Sequence, residues 1–337
     1  MTEIKKRLVG VATVLIALPA LLQAEQVPER FNAIGVEVDY SPHGLWNNAS
    51  SKRGLEYNGT PVSYPGAPWQ QVSVAYNDTV QKLGNSDYHQ WRIQVPAVAH
   101  SGGSGFGDVG STAVWNAGDL RVMKEESWHK NRRMMKVDIM VSNESGKDIT
   151  DFYFMHALDP DQDASAAAEF RTLNDVVPSQ NFAFSLGLVR GLVASYGICD
   201  NHKQQVGHTA WSTRPTAALL DQELAYRDDT MHLRHHEAVI PAGETAHFSF
   251  MFYFSSDLQS AYQDYKTHLG AICEREKIVA SANNASSMVE QLLTESRAKD
   301  ADYIAARATL LRGVKSAEAA RAKGLKVGEP RSSQNYL

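Results

Sequence analysis

From Phe31 to Phe254 apolar and polar residues alternate with a period of two, broken by turn-forming residues every ten or so positions. That rhythm predicts antiparallel strands with one face in a core, not alternating strand and helix. In Met135-Lys-Val-Asp-Ile-Met-Val141 the odd positions are apolar, with Lys136 and Asp138 on the opposite face. In His247-Phe-Ser-Phe-Met-Phe-Tyr-Phe254 four phenylalanines share a face, and that face must be core. Asp151-Phe-Tyr-Phe-Met-His-Ala-Leu158 is apolar on both faces, which predicts a central, covered strand. The polar stretch Asn143–Asp148 reads as the turn of a hairpin joining Met135–Val141 to Ile149–Leu158. Further strands are predicted at Ile34–Tyr40, Gln70–Tyr76, Gln90–Val95, Ala113–Trp115, Leu120–Glu125, Phe182–Val189 and Leu192–Tyr196. So many strands exceed a seven-stranded immunoglobulin-like module. The fold class expected is mainly β, a large two-sheet antiparallel β-sandwich followed by a C-terminal helical segment.

After Phe254 the period becomes helical. Ser256-Asp-Leu-Gln259 matches a capping box, and Leu258, Ala261, Tyr262, Tyr265, Leu269 and Ile272 fall on one face of a helix starting near Asp257. Ser287-Met-Val-Glu290 suggests a second start, and an alanine-rich stretch from Asp302, with Tyr303, Ile304, Leu311 and Val314 on one side, a third helix. The organisation expected is a signal peptide over 1–24, a sandwich domain over 25–255, a helical segment over 256–324 and a polar tail over 325–337.

The first of these rests on Lys5-Lys6-Arg7, the apolar run Leu8–Leu22 and the small residue Ala24, the three parts of a secretory signal. The apolar run is shorter than the roughly 20 residues a membrane span needs. Cleavage after Ala24, a periplasmic or secreted location and no integral span afterwards are therefore expected. Export gives meaning to the chain's two cysteines, Cys199 and Cys273, since an oxidising compartment favours their pairing. Closing that loop would contribute roughly 4 kcal/mol on the chain-entropy view.

The formal net charge is -5, and without residues 1–24 it falls to about -7, from 30 basic and 37 acidic side chains. Such a surface repels phosphate backbones, so nucleic-acid partners are not expected. Residues 297–337 hold nine basic and four acidic side chains, so the helical end and the acidic sandwich attract each other.

Candidate chemistry is sparse. Gly105-Phe-Gly-Asp-Val-Gly110 matches GxGxxG but lies in a glycine-rich linker, not between a strand and a helix, and reads as a surface loop. Asp159-Pro-Asp-Gln-Asp163 sets three carboxylates at alternate positions on a turn, so Asp159, Asp161 and Asp163 are candidate ligands for a hard cation such as calcium. Ala164 and Phe170 stand where an EF-hand needs glycine and glutamate, so further ligands must come from elsewhere, with Asn174 and Asp175 near in sequence. His156 shares a strand face with Phe152, Phe154 and Leu158; it is a core histidine or a ligand-facing base. His232 and His236, about 13 Å apart on a strand, cannot share a zinc without a bulge. Trp46, Tyr64 and Trp69 sit among loop residues and, with His156, form a candidate glycan-contacting set. No Gly-x-Ser-x-Gly, HExxH or nucleophilic cysteine setting is present, and Glu125 and Glu126 point to opposite faces of a strand.

The stretch Val141-Ser-Asn-Glu-Ser-Gly-Lys-Asp-Ile-Thr-Asp-Phe-Tyr-Phe-Met-His-Ala-Leu-Asp-Pro-Asp-Gln-Asp163, with Phe170-Arg-Thr-Leu-Asn174 and Ile240-Pro-Ala-Gly-Glu-Thr-Ala-His-Phe248, resembles β-sandwich modules of large bacterial surface and adhesin-like proteins. The resemblance implies a sandwich in an extracytoplasmic setting and brings no catalytic residue. The function expected is an exported, non-enzymatic β-sandwich that binds a glycan or cell-envelope partner. The alternative is a carbohydrate-active enzyme of mutarotase, lyase or glycosidase type on the same scaffold.

Overall fold

The computed structural model describes residues 31–309, apart from 34–35, 39, 42–43, 49–52, 64–69, 78, 85–91, 102–108, 129–131, 200–202, 210–214, 216–222 and 281–297. The expected signal peptide, Tyr64, Trp69, most of the glycine-rich loop, the helix start at Ser287 and the polar tail lie outside the described residues.

Three antiparallel sheets account for the strands. A small N-terminal sheet contains β1 (Phe31–Ala33), β2 (Val36–Val38), β3 (Asn47–Asn48), β4 (Arg53–Tyr57) and β5 (Thr60–Pro61). A five-stranded sheet is built from β6 (Gln70–Tyr76), β7 (Thr79–Gly84), β12 (Ile149–Leu158), β16 (Gln204–Thr209) and β18 (Thr230–Ile240), in the order β16-β18-β12-β6-β7. The nine-stranded sheet starts with β8 (Arg92–Ser101), β9 (Val109–Ala117), β10 (Leu120–Trp128), β11 (Met134–Asn143) and β13 (Thr172–Val176). It is completed by β14 (Phe182–Leu186), β15 (Val193–Gly197), β17 (Ala225–Arg227) and β19 (Thr245–Ser255), in the order β17-β13-β14-β15-β19-β11-β10-β9-β8. The two larger sheets pack face to face. Phe154 of β12 meets Phe248 of β19 with ring centroids 5.1 Å apart, and Phe250, Phe252 and Phe254 continue the same buried face.

The expected hairpin across Asn143–Asp148 does not form. β11 pairs with β10 and β19, whereas β12 pairs with β18 and β6 in the other sheet. The turn is an arch from one sheet to the other. Asn143, itself buried, donates from Nδ2 to the Lys147 carbonyl at 2.8 Å and to the Ile240 carbonyl at 2.9 Å, so it ties this arch to the neighbouring β18–β19 crossing. At the opposite end the chain's passages between the sheets include one from β12 to β13 and, through Asp228 and Asp229 alone, one from β17 to β18.

Helix α1 (Ala164–Ala167) lies within the first of those passages. Helix α2 (Leu258–Ala280) starts where the period changed, but its cap is Asp257 and not Ser256: the Ser260 N–H donates to Asp257 Oδ2 at 2.8 Å. Its apolar face, Leu258, Ala261, Tyr262, Tyr265 and Leu269, is buried against Phe182, Phe184, Met251 and Tyr253. Gly197 permits this approach, since a Cβ there would stand 2.5 Å from Cδ2 of Tyr265. Residues 298–309 form a further helix docked by Ile304 and Ala308. Tyr303 Oη and Arg307 Nε both donate to Asp175, at 2.7 and 2.9 Å, the expected attraction of the basic end for the acidic sandwich. No helix among the described residues is long and apolar enough to cross a membrane.

Candidate functional site: a polar sheet face and an acidic corner

Two of the expected ligand-contacting residues meet, but inside the core. Trp46 and His156 are fully buried between the sheets, with ring centroids 4.9 Å apart. Gln70 orients the histidine. Its Oε1 accepts the backbone N–H of Trp46, so its Nε2 donates to His156 Nε2 at 2.5 Å; the ring proton then sits on Nδ1 and is donated to Tyr196 Oη at 2.6 Å. Burial, with the positive charge of Lys124 and the proximity of His232, holds the His156 pKa well below the ordinary histidine value. His156 is thus a satisfied core histidine, and Trp46 is a core indole where an exposed platform was expected.

The same interior holds an ion pair. On β10 the even positions face inward, which places Lys124 and Glu126 beside Leu120 and Val122. Lys124 Nζ donates to Glu126 Oε1 at 2.5 Å and to the Gly44 carbonyl at 2.6 Å. Glu126 also accepts from Trp46 Nε1 at 2.7 Å, Tyr40 Oη at 2.5 Å and Ser111 Oγ at 3.0 Å. A buried charge is tolerated only when paired and hydrogen-bonded, and both groups are. The array fastens segment 40–46 to the nine-stranded sheet.

The acidic turn is also rearranged. Asp159, Asp161 and Asp228 each offer a carboxylate oxygen, and all three atoms lie within 4.8 Å of one another. Asp163 is not part of this group. Its carboxylate accepts the backbone N–H groups of Val189 at 2.7 Å and Arg190 at 2.9 Å, so it faces the 187–190 turn. Asn174 and Asp175 are committed elsewhere as well, Asn174 to Ser185 and the Arg227 carbonyl and Asp175 to Tyr303 and Arg307. Asp161 is only 4% exposed and its Oδ1 has no hydrogen-bond partner, while Asp228 is exposed. Burial first, then the neighbouring carboxylates, raises the pKa of Asp159 and Asp161; the charged neighbours responsible, Asp228 and Asp229 for the former and Asp159 and Asp228 for the latter, are all acids. Asp229 itself is paired with Arg227 at 2.9 Å.

The face of the five-stranded sheet turned away from the nine-stranded sheet runs up to this corner, and its central side chains, Gln71, Ser73, Met155, Ala157 and His232, are buried. Strand pairing sets Gly84, Gln71, Ala157, His232 and Gly207 in one row, so two polar side chains are separated and flanked by the smallest residues. The next row carries Ser73, Met155, Arg234 and Gln205. His232 Nδ1 lies 3.3 Å from Met155 Sδ, and Arg234 donates to Gln205 and lies over the Tyr153 ring. Gln71 Nε2 and Ser73 Oγ are buried and have no hydrogen-bond partner among the described residues. Sequence reasoning placed His232, Arg234 and His236 on one strand face, as found, but had no means of setting Gln71 and Ser73 beside them.

No protein-family model and no curated protein matches the chain. Among solved structures it is similar to a bacterial glucoamylase complexed with acarbose (TM-score 0.44, 9% identity, 80% of this chain and 34% of that one). A second likeness is to an Escherichia coli K12 protein assigned as an aldose 1-epimerase (TM-score 0.38, 10% identity, 67% of this chain and 98% of that one). A third is to the heparan sulfate lyase HepC of Pedobacter heparinus (TM-score 0.34, 10% identity, 65% and 32%). The chain thus spans about a third of the glucoamylase and lyase chains.

Proposed function

We propose that this protein binds a polyhydroxylated ligand, a glycan, at the buried polar groups on the face of its five-stranded sheet turned away from the nine-stranded sheet, in an extracytoplasmic setting expected from residues 1–24. The observation that supports it is the pair of buried, unpartnered donors Gln71 Nε2 and Ser73 Oγ. Leaving such a group unsatisfied costs about 1–3 kcal/mol, and native proteins keep few of them without a reason. A sugar hydroxyl both donates and accepts and would satisfy each. Ala157 separates Gln71 from His232 by two strand spacings, about 10 Å, a gap suited to one pyranose ring.

Binding of the full chain to a glycan array, followed by calorimetry on the best ligand, tests this. Ser73→Ala and Gln71→Leu remove the unpaired donors, so they should weaken binding at least tenfold while leaving the melting temperature unchanged or raised. An array without signal, or variants that bind like the parent, would overturn the reading.

A catalytic reading of the same scaffold draws on one specific feature. The carboxylates of the corner lie within 4.8 Å of one another, near the roughly 5 Å separation used by retaining glycosidases, and one is buried while another is exposed. Release of reducing ends from the bound glycan, abolished by Asp161→Asn, would move the assignment from binding module to enzyme.

A further inference from the structure

We propose that Asp159, Asp161 and Asp228 form a calcium site that staples together two of the chain passages joining the sheets at this corner. The three carboxylate oxygens lie within 4.8 Å of one another, close enough for a single ion to sit among them. An all-oxygen set suits a hard cation and is a poor match for zinc or copper. Calcium accepts irregular oxygen sets, whereas magnesium demands near-ideal octahedral geometry and gives up its waters reluctantly.

A cluster of acids alone would be only an acidic surface. Here a second observation points to a ligand: Asp161 is 4% exposed, and its Oδ1 has no hydrogen-bond donor among the described residues. An ionised carboxylate in that state is costly unless a cation meets it. The nearby arginine, Arg227, is spent on Asp229. Asp228 is exposed, so the site opens to solvent on one side, where waters complete the coordination of six to eight oxygens that calcium takes.

The location gives the ion a task. Asp159 and Asp161 follow β12 on its way to β13, and Asp228 lies between β17 and β18, so the ligands come from two separate crossings between the same pair of sheets. Calcium would bridge them as Asn143 bridges the two crossings at the far end.

The test is thermal unfolding of the full chain in EDTA and in calcium chloride, with terbium luminescence as a direct probe of binding. At calcium a hundredfold above Kd the folding equilibrium should gain about a hundredfold, about 2.7 kcal/mol, and magnesium at the same concentration should do far less. Asp228→Asn, at an exposed position, should abolish both the stabilisation and the terbium signal, and should raise the melting temperature in EDTA because a repulsive charge is gone. A merely structural aspartate would not show that opposite pair of effects. Asp163→Asn should keep the calcium response while losing stability. Superimposable wild-type curves in EDTA and calcium, or an Asp228→Asn variant with an undiminished response, would overturn the site.

Discussion

His156 is gripped at both nitrogens by neutral partners in a space closed to water. In the unfolded chain its ring takes up a proton below about pH 6.5, whereas in the fold burial and Lys124 keep it neutral. Its folded pKa is depressed, so the unfolded state binds more protons there, and stability falls as pH drops below the unfolded value, by about 1.4 kcal/mol per pH unit for this one ring. Ring nitrogen shifts in the labelled protein should report the Nδ1–H tautomer unchanged from pH 7.5 to 5.5; a ring titrating near 6.5 would refute this environment. The inward direction of His156 was legible from its neighbours Phe154 and Leu158. Its partner Gln70 lies 86 residues away, and no local pattern announces that contact. Trp46 was misplaced for the same reason: His-Gly-Leu-Trp-Asn-Asn has the composition of an exposed turn, and the acceptor of its indole N–H is 80 residues further on. Lys124 and Glu126, by contrast, could have been found, since alternation along β10 puts both on an apolar face.

At the scale of elements, periodicity located most of the long strands and the start of α2, because a period of two or of 3.6 is set by which face is buried. It could not say which strand pairs with which. A polar six-residue turn serves a hairpin or an arch equally well, and the Asn143–Asp148 turn is an arch because β12 finds its partners in β6 and β18. Nor could spacing show that Asp163 turns toward residues 189 and 190 while Asp228 joins Asp159 and Asp161. The docking of α2 was legible in its apolar stripe, but not what lets it come so close. Gly197 does, and Gly197→Ala should force Tyr265 aside at a cost of about 1–3 kcal/mol, the usual penalty for overpacking. A urea midpoint equal to the parent's would show that α2 yields without loss.

For the whole molecule the remaining link expected is covalent. No free cysteine is found among the described residues, and Cys199 packs against the core that α2 covers. The side chain of Cys273, the chain's other cysteine, is outside the described residues, although its position falls on α2. Non-reducing peptide mapping should recover Cys199 joined to Cys273, and quantitative alkylation of both thiols without reductant would exclude it. The bond would clamp the helical end to the nine-stranded sheet from one side, while Asp175, Tyr303 and Arg307 hold it from another.

β19 is clad twice, its phenylalanines by the opposite sheet and Met251 and Tyr253 by α2. Were α2 to lift away while the sandwich stayed intact, Phe182, Phe184, Met251 and Tyr253 would be bared together on an otherwise folded particle. A contiguous apolar wall of that kind is the adhesive surface from which aggregates start. Aggregation of this protein in concentrated solution is therefore expected to follow the opening of one helix more closely than unfolding of the sandwich.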